Sequence, residues 1–151
     1  LNVAYGGTLY QDINTQVPES FVHRDQESYD QNFHSIDIVP GSGLSSLYPG
    51  VERVRVNSIH HQAIKDLSPE FEAEAYSVND GIIEAIRRKD KSKSYIAATQ
   101  WHPEFHQPGS DTIDDAAVLA DFLAAVAKTK ESRAEPGTRQ KVVPRSFKPD
   151  E

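Results

Sequence analysis

The chain has 151 residues, 37% of them apolar and 26% charged, with a formal net charge of -7, which suits one soluble domain with a single core. That acidic balance argues against a nucleic-acid backbone as partner, and no run of about 18 apolar residues offers a membrane span. No basic stretch leads into an apolar one, so a cytoplasmic location is expected, and the complete lack of cysteine excludes disulfides, thiolate metal sites and a cysteine nucleophile within these residues.

Residues 1–5 read as the last turns of a helix stopped by Gly6 and Gly7. Five helical residues with no N-cap would not hold alone, and the chain has no methionine. The expectation is therefore a chain that continues something longer. Residues 9–32 are polar and turn-rich and read as a surface loop. Residues 34–39 alternate as a strand that ends at Pro40 and Gly41, and 44–47 suggest one helical turn. Val54 and Val56 mark a short strand feeding a loop over 57–62. Residues 71–78 and 82–87, joined by Asn79-Asp80-Gly81, form a hairpin. A charged turn follows at 90–94. The least polar strand candidate, 95–100, is placed inside a sheet. Ser110 or Asp111 can cap a helix running to about Lys128, with acids in its first turns and lysines at its end. Leu119, Phe122, Leu123 and Val126 form its expected buried stripe. Residues 129–151 read as a charged, disordered tail, against a domain over 1–128.

Five of the six histidines fall into three groups: His34, the pair His60 and His61, and His102 with His106. His102 and Glu104 stand two apart at the end of the candidate buried strand. Strand geometry puts both side chains on one face, roughly 6.5–7 Å apart at Cα. There a carboxylate can fix the imidazole tautomer and leave the other nitrogen free to take a proton. Spacing alone favours a blander reading, a surface histidine beside a solvated acid. A rival chemistry is zinc held by His102, Glu104 and His106 with His60 or His61, although Pro103 would bend that run. His34 reads as structural, and His23 beside Arg24 as solvated.

Three segments together resemble the class I glutamine amidotransferase-like hydrolases, most closely the γ-glutamyl-γ-aminobutyrate hydrolase branch. They are Gly6-Gly7-Thr8-Leu9-Tyr10-Gln11-Asp12, Val56-Asn57-Ser58-Ile59-His60-His61-Gln62 and Gln100-Trp101-His102-Pro103-Glu104-Phe105-His106. The resemblance covers residues 1–128. It implies an α/β fold, here the C-terminal part of a flavodoxin-like doubly wound domain with an antiparallel excursion at 71–87 and an apolar face left exposed. It also implies hydrolysis of a γ-glutamyl amide through a cysteine thioester, with His102 as base and Glu104 orienting it. Ser58, His60 and His61 would line the small-molecule γ-glutamyl pocket, while a structural reading of that loop has Asn57 and one histidine satisfying backbone groups. His106 would back the site or lie at the surface.

No cofactor and no metal are implied. The family's Gly-x-Cys-x-Gly elbow is absent from these residues, so the expected partner is an N-terminal part carrying the cysteine, and the chain alone is expected to be inactive. A homo-oligomer is compatible with this. Within the same resemblance stand a glutaminase supplying ammonia to a synthase and a catalytically dead γ-glutamyl-binding relative.

Overall fold

The computed structural model describes residues 1–106 and 111–134. Its centre is a five-stranded sheet. In β2 (Phe33–Ile38) buried and half-buried residues alternate, so His34, Ile36 and Ile38 share one face. β2 lies between β3 (Arg53–Asn57) and β5 (Phe71–Ser77); β6 (Ile83–Arg88) and β7 (Ala97–Thr99) follow on the far side of β5. Each neighbouring pair is antiparallel. The β5–β6 hairpin turns at Gly81, whose φ of 71° suits a residue without Cβ.

Residues 95–100 are not inside this sheet, as their apolar run suggested. Only three of them form β7, which pairs with β6 alone and stands at the sheet edge, half-buried, among the described residues. A short apolar run signals a strand able to be covered on both faces and says nothing of which strand adjoins it.

The stretch from 9 to 32 is more than a surface loop. β1 (Leu9–Tyr10) pairs with β4 (Ala63–Ile64), and α1 (Ile13–Gln16) is capped by Asp12, whose carboxylate accepts the Thr15 N–H at 2.8 Å. Ile13 joins Ala63 and Ile82 in a small second core. His23, expected in solvent, is buried. The burial is tolerated because both ring nitrogens have partners, Asp80 at 2.9 Å and Ser58 Oγ at 2.8 Å.

The main core gathers Ile36, Ile38, Val56, Ala75 and Ala85 from the sheet with Leu44 of α2 (Gly43–Leu47), Trp101 and Ile113. The long helix α3 (Ala116–Ala134) begins later and runs further than expected. Asp114 accepts the Ala116 N–H at 3.1 Å and the Asp115 carbonyl accepts from Leu119 at 3.1 Å. Of the two residues expected to cap it, Ser110 lies outside the described residues and Asp111 instead pairs with Arg55 at 2.6 Å. The expected buried stripe is not buried. Leu119, Phe122, Leu123 and Val126 are 48–59% exposed, while Val118 packs against the core. Helical periodicity identifies a face fit for burial, and the cover must come from elsewhere. No described helix is long and apolar enough to cross a membrane. The tail expected over 129–151 is helical as far as Ala134, and beyond that it lies outside the described residues.

Candidate active site

Past Thr99 the chain leaves the sheet. The Gln100 N–H still donates to the Glu84 carbonyl at 2.7 Å, and Trp101 then turns into the core, 2% exposed, its indole N–H donating to Asp115 at 2.9 Å. His102 has extended backbone angles, and Pro103–Phe105 form a single turn of 3-10 helix. Proline opens that turn at the position where its fixed φ and missing N–H cost least.

The turn produces the pairing of His102 and Glu104. His102 Nδ1 lies 3.0 Å from Glu104 Oε1, yet the two side chains meet across a turn and not along a strand face, because Pro103 ends the extended run. The hydrogen bond with His102 holds the Glu104 carboxyl below the usual carboxylate range. An ionised Glu104 accepts, so Nδ1 carries the proton and Nε2 presents its lone pair. The His102 side chain is 43% exposed, and Nε2 makes no hydrogen bond among the described residues.

Asn57 fixes this turn in place. Its side-chain amide donates to the His102 carbonyl at 2.6 Å and its oxygen accepts the His102 N–H at 2.8 Å. Asn57 ends β3, at the opposite edge of the sheet from β7, so the pair closes a long loop through the core. The Asn57 N–H donates to His106 Nε2 at 3.2 Å, and His106 Nδ1 bonds Asp115. Asp115 thus holds both Trp101 and His106 from the start of α3. Sequence reading gave Asn57 only a general role toward loop backbone and missed Asp115. The available signal was a polar residue at the end of a strand that alternates arginine and valine, next to the buried Val56, which must bury its amide against something.

Of the other site candidates, Ser58 is fully buried, with its hydroxyl against His23. His60 faces inward as well: Nδ1 donates to the Gln62 carbonyl at 2.9 Å, and Nε2 lies 3.5 Å from Glu84 Oε1. His61 is exposed. It sits 3.4 Å from Arg24 Nη1 and helps line a pocket of about 270 Å³ with Asp12, Asn14 and Gln26. His34 is buried, its Nδ1 3.3 Å from Ser77 Oγ, and burial pushes its imidazole down to about 4. The zinc set weighed from sequence does not assemble, since His106 is spent on Asp115 and Asn57, and His60 turns to Glu84. A separate cleft of about 550 Å³, lined by Leu44, Ala85, Ala97, Thr99, Pro103 and Glu104 among others, opens beside the His102 turn. A paired imidazole with one free nitrogen, held by its backbone beside an open cleft, can accept and return a proton.

Comparison with known proteins gives the family of the chain. The Protein NtpR of Enterococcus hirae is 39% identical over 113 residues, 74% of this chain and 46% of that protein. The γ-glutamyl-γ-aminobutyrate hydrolase PuuD of Escherichia coli is 34% identical over 111 residues, 70% of this chain and 42% of that enzyme. The chain thus spans less than half the length of these curated relatives. In fold it resembles a Thermoplasma acidophilum protein described as a GMP synthase subunit, with a TM-score of 0.61 at 17% identity, covering 89% of this chain and 55% of that one. The mixture of strands and helices described above agrees with an α/β fold of that kind. The Peptidase C26 family matches residues 1–104, and the chain belongs to that family, within the class I glutamine amidotransferase-like proteins.

Proposed function

We propose that these residues form the proton-handling part of a hydrolase that cleaves γ-glutamyl amides, with γ-glutamyl-γ-aminobutyrate as the type of substrate. The observation that carries this reading is the 3.0 Å contact between His102 Nδ1 and Glu104 Oε1 with Nε2 left open. The attacking thiol comes from outside these 151 residues, which contain no cysteine. His102 Nε2 takes the thiol proton, and the thiolate adds to the γ-carbonyl. The tetrahedral intermediate collapses to a thioester as His102 returns the proton to the leaving amine. His102 then takes a proton from water, whose oxygen attacks the thioester, and the thiol leaves with that proton. Glu104 keeps the imidazole in its reactive tautomer and stabilises the imidazolium. The loop over 57–62 lines the γ-glutamyl pocket, with the exposed His61 toward the substrate's α-carboxylate and Ser58 and His60 shaping the loop from within. No cofactor takes part.

The test is release of 4-aminobutyrate by a protein joining these residues to a thiol-bearing segment. His102→Ala abolishes turnover there, and Glu104→Ala weakens it severely. The 151-residue chain by itself turns over nothing. Near-normal rates from His102→Ala would overturn the reading, and ammonia from free glutamine with no cleavage of the γ-glutamyl substrate would point instead to a glutaminase.

A further inference from the structure

We propose that His23, His60 and Glu84 form a buried zinc-binding site, apart from the His102 turn and of structural effect. The donor atoms of His23, His60 and Glu84 all lie within 4.8 Å of one another. Glu84 is 1% exposed, and among the described residues neither carboxylate oxygen has a hydrogen-bond partner. Its Oε1 faces three imidazoles: His34 Nε2 and His60 Nε2 at 3.5 Å each, and His23 Nδ1 at 3.7 Å. An ion held tetrahedrally by bonds of about 2.0–2.2 Å spaces its donors roughly 3.3–3.6 Å apart. The contacts to Glu84 fall close to that spacing and are too long for good hydrogen bonds.

The protons point the same way. His60 Nδ1 lies 2.9 Å from the Gln62 carbonyl, which can only accept, so its proton is on Nδ1. His23 Nε2 lies 2.9 Å from the Asp80 carboxylate, so its proton is on Nε2. The same carboxylate accepts the Phe21 N–H at 2.9 Å and the Ile82 N–H at 3.2 Å, so it stands as an acceptor toward His23 as well. In its neutral form His60 therefore directs a lone pair toward Glu84, while that of His23 meets Ser58 Oγ at 2.8 Å with Glu84 Oε1 at 3.7 Å, and among the described residues His60 Nε2 and His34 Nε2 have no hydrogen-bond partner. Metal-binding histidines show this pattern, the distal N–H given to a carboxylate or carbonyl and the other nitrogen turned to the ion. One extra proton would answer one of these contacts and leave the rest of Glu84 bare, at the cost of an unmatched buried acceptor. Ser58 Oγ, now on His23 Nδ1, would rotate away to release that nitrogen. The ion would join the segment before β2, the loop after β3 and strand β6, which are not held to one another by any disulfide.

The test uses the tag-free 151-residue chain, stripped with EDTA, desalted, and titrated with zinc chloride alone. One zinc ion is retained per chain, and the midpoint of thermal unfolding rises by several degrees and falls back on chelation. Glu84→Gln keeps the shape, removes the anionic donor and lowers zinc affinity at least tenfold, whereas His102→Ala leaves stoichiometry and affinity unchanged. Absent or substoichiometric zinc on the wild-type chain overturns the site, as does equal binding by Glu84→Gln or loss in His102→Ala. Should Glu84→Gln fail to fold, cobalt(II) on the wild-type chain decides: intense visible bands of a four-coordinate ion support the site, and a weak octahedral spectrum overturns it. None of these readouts depends on hydrolase activity, so the two readings fail separately.

Discussion

Asn57 grips His102 by its backbone and leaves the imidazole free, giving one hydrogen bond of 2.6 Å to the carbonyl and taking one of 2.8 Å from the N–H. The two bonds fix where the ring starts and which way it can point. Asn57→Ala removes both and leaves two backbone groups of the turn unmatched, a cost of about 1–3 kcal/mol. Asn57→Asp is the sharper probe. It keeps the acceptor for the His102 N–H but sets a carboxylate oxygen against the His102 carbonyl, so it destabilises at least as much as alanine. Urea unfolding of the three proteins checks the order. An Asn57→Asp variant as stable as the wild type would dismiss the paired bonding.

A second clamp lies one step further along. Asp115, at the start of α3, accepts from the Trp101 indole at 2.9 Å and bonds His106. Trp101 is the only tryptophan, so it reports this joint without ambiguity. Asp115→Ala strips a buried indole N–H and a nearly buried imidazole of their partner, with an expected loss of about 1–3 kcal/mol. The emission of Trp101 shifts to the red as its pocket loosens. Asp115→Asn retains an acceptor for one of the two donors and gives a smaller effect on both readings. Unchanged emission from the alanine variant would mean that Asp115 does not anchor Trp101.

These joints show where sequence reading stopped. The hairpin over 71–88 was legible because alternation, a turn tripeptide and a returning apolar run all agree. The His102–Glu104 pair was legible as a pair, though for the wrong geometric reason: a proline inside the run makes a turn, and the turn brings the two groups together. His23 was not legible. A histidine beside an arginine in a polar stretch looks solvated, and its burial depends on Asp80 and Ser58, 57 and 35 residues away. The same holds for Asp115, whose partners are set by long-range packing that no local period encodes. Polar groups buried against distant polar groups leave no periodic trace.

The Glu104 carboxyl gives a titration test. Its hydrogen bond with His102 is the largest cause holding it below its ordinary value of 4.5. For a carboxyl so depressed, the stabilisation from the pair is present above the unfolded pKa and is lost as pH falls through the folded one. Carbon-detected NMR of the Glu104 carboxyl therefore shows a midpoint below 4.5 in the wild-type chain. In His102→Ala the midpoint moves back upward. A midpoint indifferent to His102 would show that the contact does not persist in solution.

The helix α3 separates two kinds of apolar residue. Ile36 is 0% exposed within the main core, whereas Leu123 is 54% exposed on the face expected from sequence to be buried. Ile36→Ala removes buried methylenes and leaves a cavity among Ile38, Val56 and Ala75, which costs about 2–5 kcal/mol. Leu123→Ala removes a side chain that is already half in water and, among the described residues, joins neither core cluster, and alanine is the better helix former. Its effect on the isolated chain stays within about 0.5 kcal/mol. Thermal and urea unfolding of the two variants against the wild type give the comparison directly. A loss of several kcal/mol from Leu123→Ala would show that the stripe is covered in solution, by a second copy of the chain or by residues beyond Ala134, and a concentration-dependent midpoint would tell the first of these from the second.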